Sequence, residues 1–138
     1  MVSWKALTRG RQIATVFAAI FYIGAGLLHF IKPESYLKLM PPYIPWHHAD
    51  VIISGAGEIL GGFGLLFAQT RRAAAWGLVV LLIAVFPANL YMATNPIETG
   101  SEGIPALIRW GRLPLQAVFI WWVLWCTTRR PVNEFKYL

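Results

Sequence analysis

The stretch VIISGAGEILGGFGLLFA, Val51 to Ala68, carries a single carboxylate, Glu58, in a run of otherwise apolar or small residues. At ~1.5 Å per residue such a run extends ~27 Å as a helix, close to the hydrocarbon thickness of a bilayer. It therefore predicts a membrane span. An acid near the middle of a lone helix costs about 2.5–3.5 kcal/mol on insertion, so Glu58 is expected to face other helices and a polar partner. Gly57 and Gly61 form a small-xxx-small pair, continued by Gly64 and Ala68, which admits a neighbouring helix at close range. Ser54, Glu58, Gly62 and Leu65 share the adjacent face. This helix is the expected centre of a bundle.

Bulk composition agrees. The 138 residues are 57% hydrophobic and only 13% charged, which is too apolar for a soluble domain of this size and predicts a single membrane domain over 1–138. The net charge of +6 is not arranged as a basic stripe within a nucleic-acid module, so no nucleic-acid partner is expected; the lipid bilayer is. One cysteine, Cys126, allows neither an internal disulfide nor a CxxC dithiol and reads as a small hydrophobe near a helix end.

Outward from the central run, Ile13 to Phe30 predicts a first span, read as uncleaved because it is longer than a signal-peptide core and lacks a convincing cleavage site. The outer loop 33–50, PESYLKLMPPYIPWHHAD, predicts a short interfacial helix, then a rigid Pro41–Pro42–Pro45 loop with Tyr43 and Trp46 at headgroup level. A third span is expected over Ala73 to Ala93, with Pro87 freeing the carbonyl of Ile83 and calling for a kink or a local polar partner. A fourth span, 106–128, is expected in a helix whose first residue is Pro105, with Arg109, Arg112 and Gln116 on one face. The expected fold is all-α, an integral membrane four-helix transmembrane bundle.

Positive charge orients that bundle. Lys5, Arg9 and Arg11 precede the first span, Arg71 and Arg72 follow the second, and Arg129, Arg130 and Lys136 against Glu134 follow the fourth, whereas the other two connections are balanced. Both termini are expected in the cytoplasm. Every span then places its polar residues in the outer half: His29, Glu58, Asn89, Arg112 and Gln116, with the loop histidines His47 and His48 entering from the same side. A polar pocket inside the bundle is expected.

Each member also has a structural reading. His29 caps a loop carbonyl or serves a ligand or proton; Asn89 supports the backbone freed by Pro87; Arg109 and Arg112 anchor at the interface, with Arg112 the better partner for Glu58. For Glu58, a candidate proton handler, a functional role is the default. No metal site is expected, since adjacent histidines seldom reach one ion and no ligand spacing is present; nucleotide and serine-triad signatures are absent.

The His29–Phe30 pair followed by Lys32–Pro33–Glu34, the SGAGEILGG run and the FPAN stretch at Phe86–Asn89 fall in that order on successive spans. In this, Ala14 to Met92 resembles the DoxX-like family of small bacterial membrane proteins. The resemblance implies a four-helix protein of the bacterial inner membrane, linked to quinone-dependent sulfur oxidation or to thiol redox complexes. The thiol branch fits poorly here, because paired cysteines are lacking.

Three functions are expected to compete. The first is a redox-associated subunit binding a quinone or similar lipid-soluble ring, with His29 and Asn89 bonding its oxygens, Glu58 handling protons and Phe86, Trp110 and Phe119 as walls. The second is a non-catalytic assembly subunit that docks other membrane-protein subunits, or a homo-oligomer, through its glycine seam and tryptophan-rich last helix. The third is a lipid or sterol-like ligand binder or isomerase.

Overall fold

The structure is a computed structural model and describes residues 3–127; the tail charges Arg129, Arg130, Glu134 and Lys136 lie outside them. After a short 3-10 turn, Trp4–Ala6, come α1 (Arg9–Ile31), α2 (Pro33–Leu37), α3 (His47–Leu66), α4 (Arg71–Ala84), α5 (Phe86–Thr94) and α6 (Ala106–Thr127). All regular structure among the described residues is helical. Arg9–Ile31, His47–Leu66 and the joined pair Arg71–Thr94 are long and apolar enough to cross a membrane. Helix α6 has comparable length, ~33 Å at 1.5 Å per residue, but Arg109, Arg112 and Gln116 dilute its first half.

Helix α1 starts before the apolar run because Thr8 caps it: its side chain accepts from the Arg11 amide at 3.3 Å. It ends at Ile31 with Lys32 as its C-cap, and Pro33 then opens α2. Helix α3 begins four residues before the expected Val51. Trp46 sits in the left-handed region (φ 57°), which turns the proline-rich loop into the helix, and its carbonyl accepts from the Asp50 amide. His47 and His48 are therefore helical, not loop, residues. The helix stops at Leu66, and Ala68 lies beyond it.

The third expected span is interrupted. Val85 leaves the helical path (φ −86°, ψ −4°), so α4 ends at Ala84 and Pro87 falls in the first turn of α5, where its missing N–H costs least. Pro105 lies one residue before α6 and its carbonyl accepts from Ile108 and Arg109; a second proline, Pro114, lies inside the helix.

Packing is organised around α3. It lies against α1 on one side and α4 on the other, while α6 packs on α4, α5 and α1 and closes the group. Glycine makes both α3 contacts close. A Cβ on Gly55 would come within 2.6 Å of the His29 Cβ, and one on Gly26 within 2.6 Å of the Gly55 carbonyl oxygen. The Gly57–Gly61–Gly64 seam meets α4 instead, at Leu81, Leu78 and Ala74. The buried core, Ala18, Tyr22, Leu65, Ala75, Leu78, Val123 and Cys126, fills the half of the group nearer the start of α1.

Arg71, expected as a topology charge in a connection, is fully buried. Its Nε donates to the Leu65 carbonyl at 2.7 Å and Nη2 to that of Leu66 at 3.1 Å, with the guanidinium over the Trp4 ring. It thus satisfies carbonyls that the end of α3 leaves without helical partners.

Candidate functional site

The α1–α3 crossing fixes the centre of the site. Because Gly26 and Gly55 let the backbones touch, the imidazole of His29 lies along α3. Its Nδ1 is 3.0 Å from the Val51 carbonyl, which makes Nδ1 the protonated donor, and its Nε2 is 3.4 Å from Glu58 Oε2. Tyr36 of α2 stacks on the other face of the ring, centroids 3.8 Å apart. His29 is 8% exposed; Nδ1 is engaged by Val51, and Nε2 faces the Glu58 carboxyl. Glu58 Oε2 is buried, with no hydrogen bond among the described residues, and the histidine contact, longer than a good hydrogen bond, is an ion pair only when the imidazole is protonated and the carboxyl ionised.

Around this pair lies a cavity of about 230 Å³. Its walls include Phe21, Tyr22, Leu82, Val85, Ala88, Leu115 and Phe119. All five residues singled out in the sequence, His29, Glu58, Asn89, Arg112 and Gln116, line it, together with Tyr36, Asp50 and Ser54.

Their partners differ from those expected. Glu58 pairs with His29, whereas the Arg112 guanidinium donates to Met92 Sδ at 3.3 Å. Asn89 does not bond the backbone directly: its amide donates to Gln116 Oε1 at 3.4 Å, and Gln116 Nε2 donates to the Leu82 carbonyl. One glutamine from α6 thus ties together α4 and α5 across their break. The expected polar partner for the proline-disrupted backbone exists, but it serves Leu82 rather than Ile83 and comes from another helix.

Other expected members lie elsewhere. His47 Nε2 is 3.0 Å from the Pro41 carbonyl, His48 is exposed, and neither lines the cavity. Arg109 does not line it either. Phe86 and Trp110 are 42% and 48% exposed on the outside, so of the expected aromatic walls Phe119 alone is in place, joined by Phe21 at a centroid distance of 5.1 Å. Sequence reasoning missed Tyr22, Tyr36 and Asp50. A legible signal existed for two of them: Tyr22 lies two helical turns before His29 on α1, and Asp50 two turns before Glu58 on α3. A parallel signal was Pro114–Leu115–Gln116, which repeats the proline-x-amide spacing of Pro87–Ala88–Asn89.

Burial of the phenol, then the nearby Glu58 carboxyl, pushes Tyr36 above its ordinary range, with Arg112 opposing. The ring over His29 is therefore a neutral hydrogen-bonding group at physiological pH. The arrangement can hold a flat, mostly apolar molecule and offer its oxygens an imidazole–carboxyl pair on one side and two amides on the other.

No characterised protein and no solved structure matches the chain. The family model described as "Domain of unknown function (DUF8561)" matches residues 18–127, from within α1 to the last described residue of α6, and the chain belongs to that family.

Proposed function

We propose that this chain is a four-helix transmembrane protein of the bacterial inner membrane, with α6 as the fourth crossing. It binds a lipid-soluble, quinone-type molecule in the His29–Glu58 cavity as a redox-associated subunit. One observation carries the reading: a buried imidazole–carboxyl pair opens on an apolar-walled cavity that also gathers Asn89, Arg112 and Gln116. With Nδ1–H engaged by Val51, the neutral ring presents Nε2 as an acceptor and the charged ring presents it as a donor. With the ring charged, or with the ring neutral and Glu58 protonated, the pair holds one proton that a ligand oxygen can take. Basic residues at the start of α1 and at the start of α4 favour the outer half of the bilayer for the cavity and the cytoplasm for the N-terminus. The motif likeness to DoxX-like proteins belongs to this proposal and supplies its redox association.

The test is mass spectrometry of what co-purifies in native membrane particles, followed by titration with short-chain ubiquinone and menaquinone analogues. Retention by the wild type and loss in Glu58→Gln and His29→Ala are expected. A wild-type preparation that carries no quinone and binds neither analogue overturns the reading; if it instead retains a stable protein partner, the chain is an assembly subunit.

A further inference from the structure

Asp50, Ser54 and Glu58 stand four residues apart on α3, and all three line the cavity. Four residues are ~6 Å along a helix axis and bring side chains onto one face, so the three groups form a file down the cavity wall. The file has a polarity. Asp50 is in the first turn of α3, at the end of the helix that joins the proline-rich loop, where Tyr43 and Trp46 are exposed. Ser54 is half-buried one turn deeper, and Glu58, with a side chain 17% exposed, is one turn deeper again. Helical side chains lean toward their own N-terminus, so the Glu58 carboxyl reaches back toward the turn that carries Ser54. A cavity of about 230 Å³ has room for several waters at ~30 Å³ each, enough to bridge each ~6 Å step with one water.

From this geometry we infer that Asp50, Ser54 and Glu58 form a proton-entry path from the aqueous face of the membrane to the His29–Glu58 pair. The inference rests on the reading of that pair as a proton donor to a bound ligand and says how the pair is recharged. The Asp50 carboxylate takes a proton from hydronium at the aqueous face, leaving water. Through one water it protonates the Ser54 oxygen as that hydroxyl releases its own proton toward Glu58. The Glu58 carboxylate, or His29 Nε2 through it, receives that proton. Charge and atoms balance, with one proton entering and one delivered, and no oxidant is involved. Three features suit the chain: Asp50 is at the wet end, the middle member both donates and accepts, and the last member contacts the imidazole. The other titratable and polar groups on the cavity, Tyr22, His29, Tyr36, Asn89, Arg112 and Gln116, come from α1, α2, α5 and α6 and face the file from the other helices.

The experiment uses ligand-free full-length protein in nanodiscs. Protonation of Glu58 is followed after a pH jump by its carboxylic-acid infrared band, identified by its loss in Glu58→Gln. Asp50→Asn and Ser54→Ala are each expected to slow the band by about a hundredfold, the low end of what a positioned proton-transfer group contributes. Ser54→Thr, which restores a hydroxyl, returns the rate. Added formate or azide rescues Asp50→Asn, because a small acid replaces the group at the wet end, but does not rescue Ser54→Ala. Tyr43→Phe, at an exposed residue off the cavity, leaves the rate unchanged, and matching thermal melts show that the variants fold. Wild-type rates in Asp50→Asn and Ser54→Ala, or a Glu58 band that never follows bulk pH, overturn the path. Since no quinone is present, a failure of ligand binding and a failure of the path are separate results.

Discussion

His29 Nε2 and Glu58 Oε2 lie 3.4 Å apart across two helices whose backbones meet at Gly26 and Gly55. The contact depends on that closeness. The imidazole spans from the Val51 carbonyl to the Glu58 carboxyl, two groups about two turns apart on α3, and it reaches both because nothing but hydrogen lies between the helices at this level. A polar pair in the interior is thus held by the smallest residues in the sequence.

Gly55→Ala should therefore cost about 1–3 kcal/mol, because the added methyl meets the His29 Cβ and the Gly26 carbonyl and neither is a flexible side-chain end. Gly24→Ala, on the same α1 but with nothing within 4 Å, should be neutral or stabilise by about 0.5–1 kcal/mol. Denaturant titration in mild detergent compares the two. Equal effects would mean that the crossing is looser than described.

Gln116→Leu removes the group that joins Asn89 to the Leu82 carbonyl and leaves both polar groups without it. A loss of about 1–3 kcal/mol is expected for those orphaned groups. Asn89→Ala should cost less, its bond to Gln116 being long at 3.4 Å, and should cost almost nothing once Gln116 is gone. A double-mutant cycle that finds the two sites additive would show that the α4–α5 break is held some other way.

Arg71 and Arg72 are neighbours in sequence with opposite fates. Arg71→Ala is expected to destabilise by about 2–4 kcal/mol, since Arg71 is fully buried and closes the carbonyls of Leu65 and Leu66. Arg71→Lys should recover only part, because a single ammonium lacks the planar fork. Arg72→Ala, on an exposed residue, should change stability little. Melting temperatures of the three variants decide the order.

Tyr36 gives the pH dependence. Its folded-state value is raised, first by burial and then by Glu58, so the unfolded chain loses the phenolic proton before the folded one does. Its contribution to stability is therefore fully present below the unfolded tyrosine range and declines as pH rises through and above it. The difference between ultraviolet titrations of wild type and Tyr36→Phe should isolate a late-ionising Tyr36 component, and Glu58→Gln should bring that component earlier; no change in Glu58→Gln would mean that the carboxyl does not act on the phenol.

Much of the helical layout was legible, and the reasons are local. The apolar runs around Ile13–Phe30 and Val51–Ala68 are long enough that no arrangement other than helix satisfies their backbone without water. Helix ends were misplaced where a single residue decides them: Thr8 extends α1, Trp46 starts α3 early, and Val85 divides the third run. Those depend on one cap or one backbone angle, which hydropathy does not record. The site residues were legible as polar exceptions in apolar runs, but their pairing was not. Of the two arginines read as anchors or partners, Arg112 was the better candidate for Glu58, yet its guanidinium goes to Met92 Sδ. The histidines at 47 and 48 were expected in the site because loop and helix could not be told apart across the prolines.

By itself the sequence determined that this protein is apolar helices carrying a few polar side chains, because hydrophobic run length and residue size are sums over neighbours in the chain. It also marked Glu58 as the residue that needs company. Only the tertiary structure decided that His29 supplies it, that Gln116 bridges Asn89 to Leu82, and that Asp50 joins the same cavity. Those outcomes depend on how far each helix is rotated about its axis and how closely two backbones approach. Such quantities are set by packing between segments tens of residues apart, and no local pattern contains them.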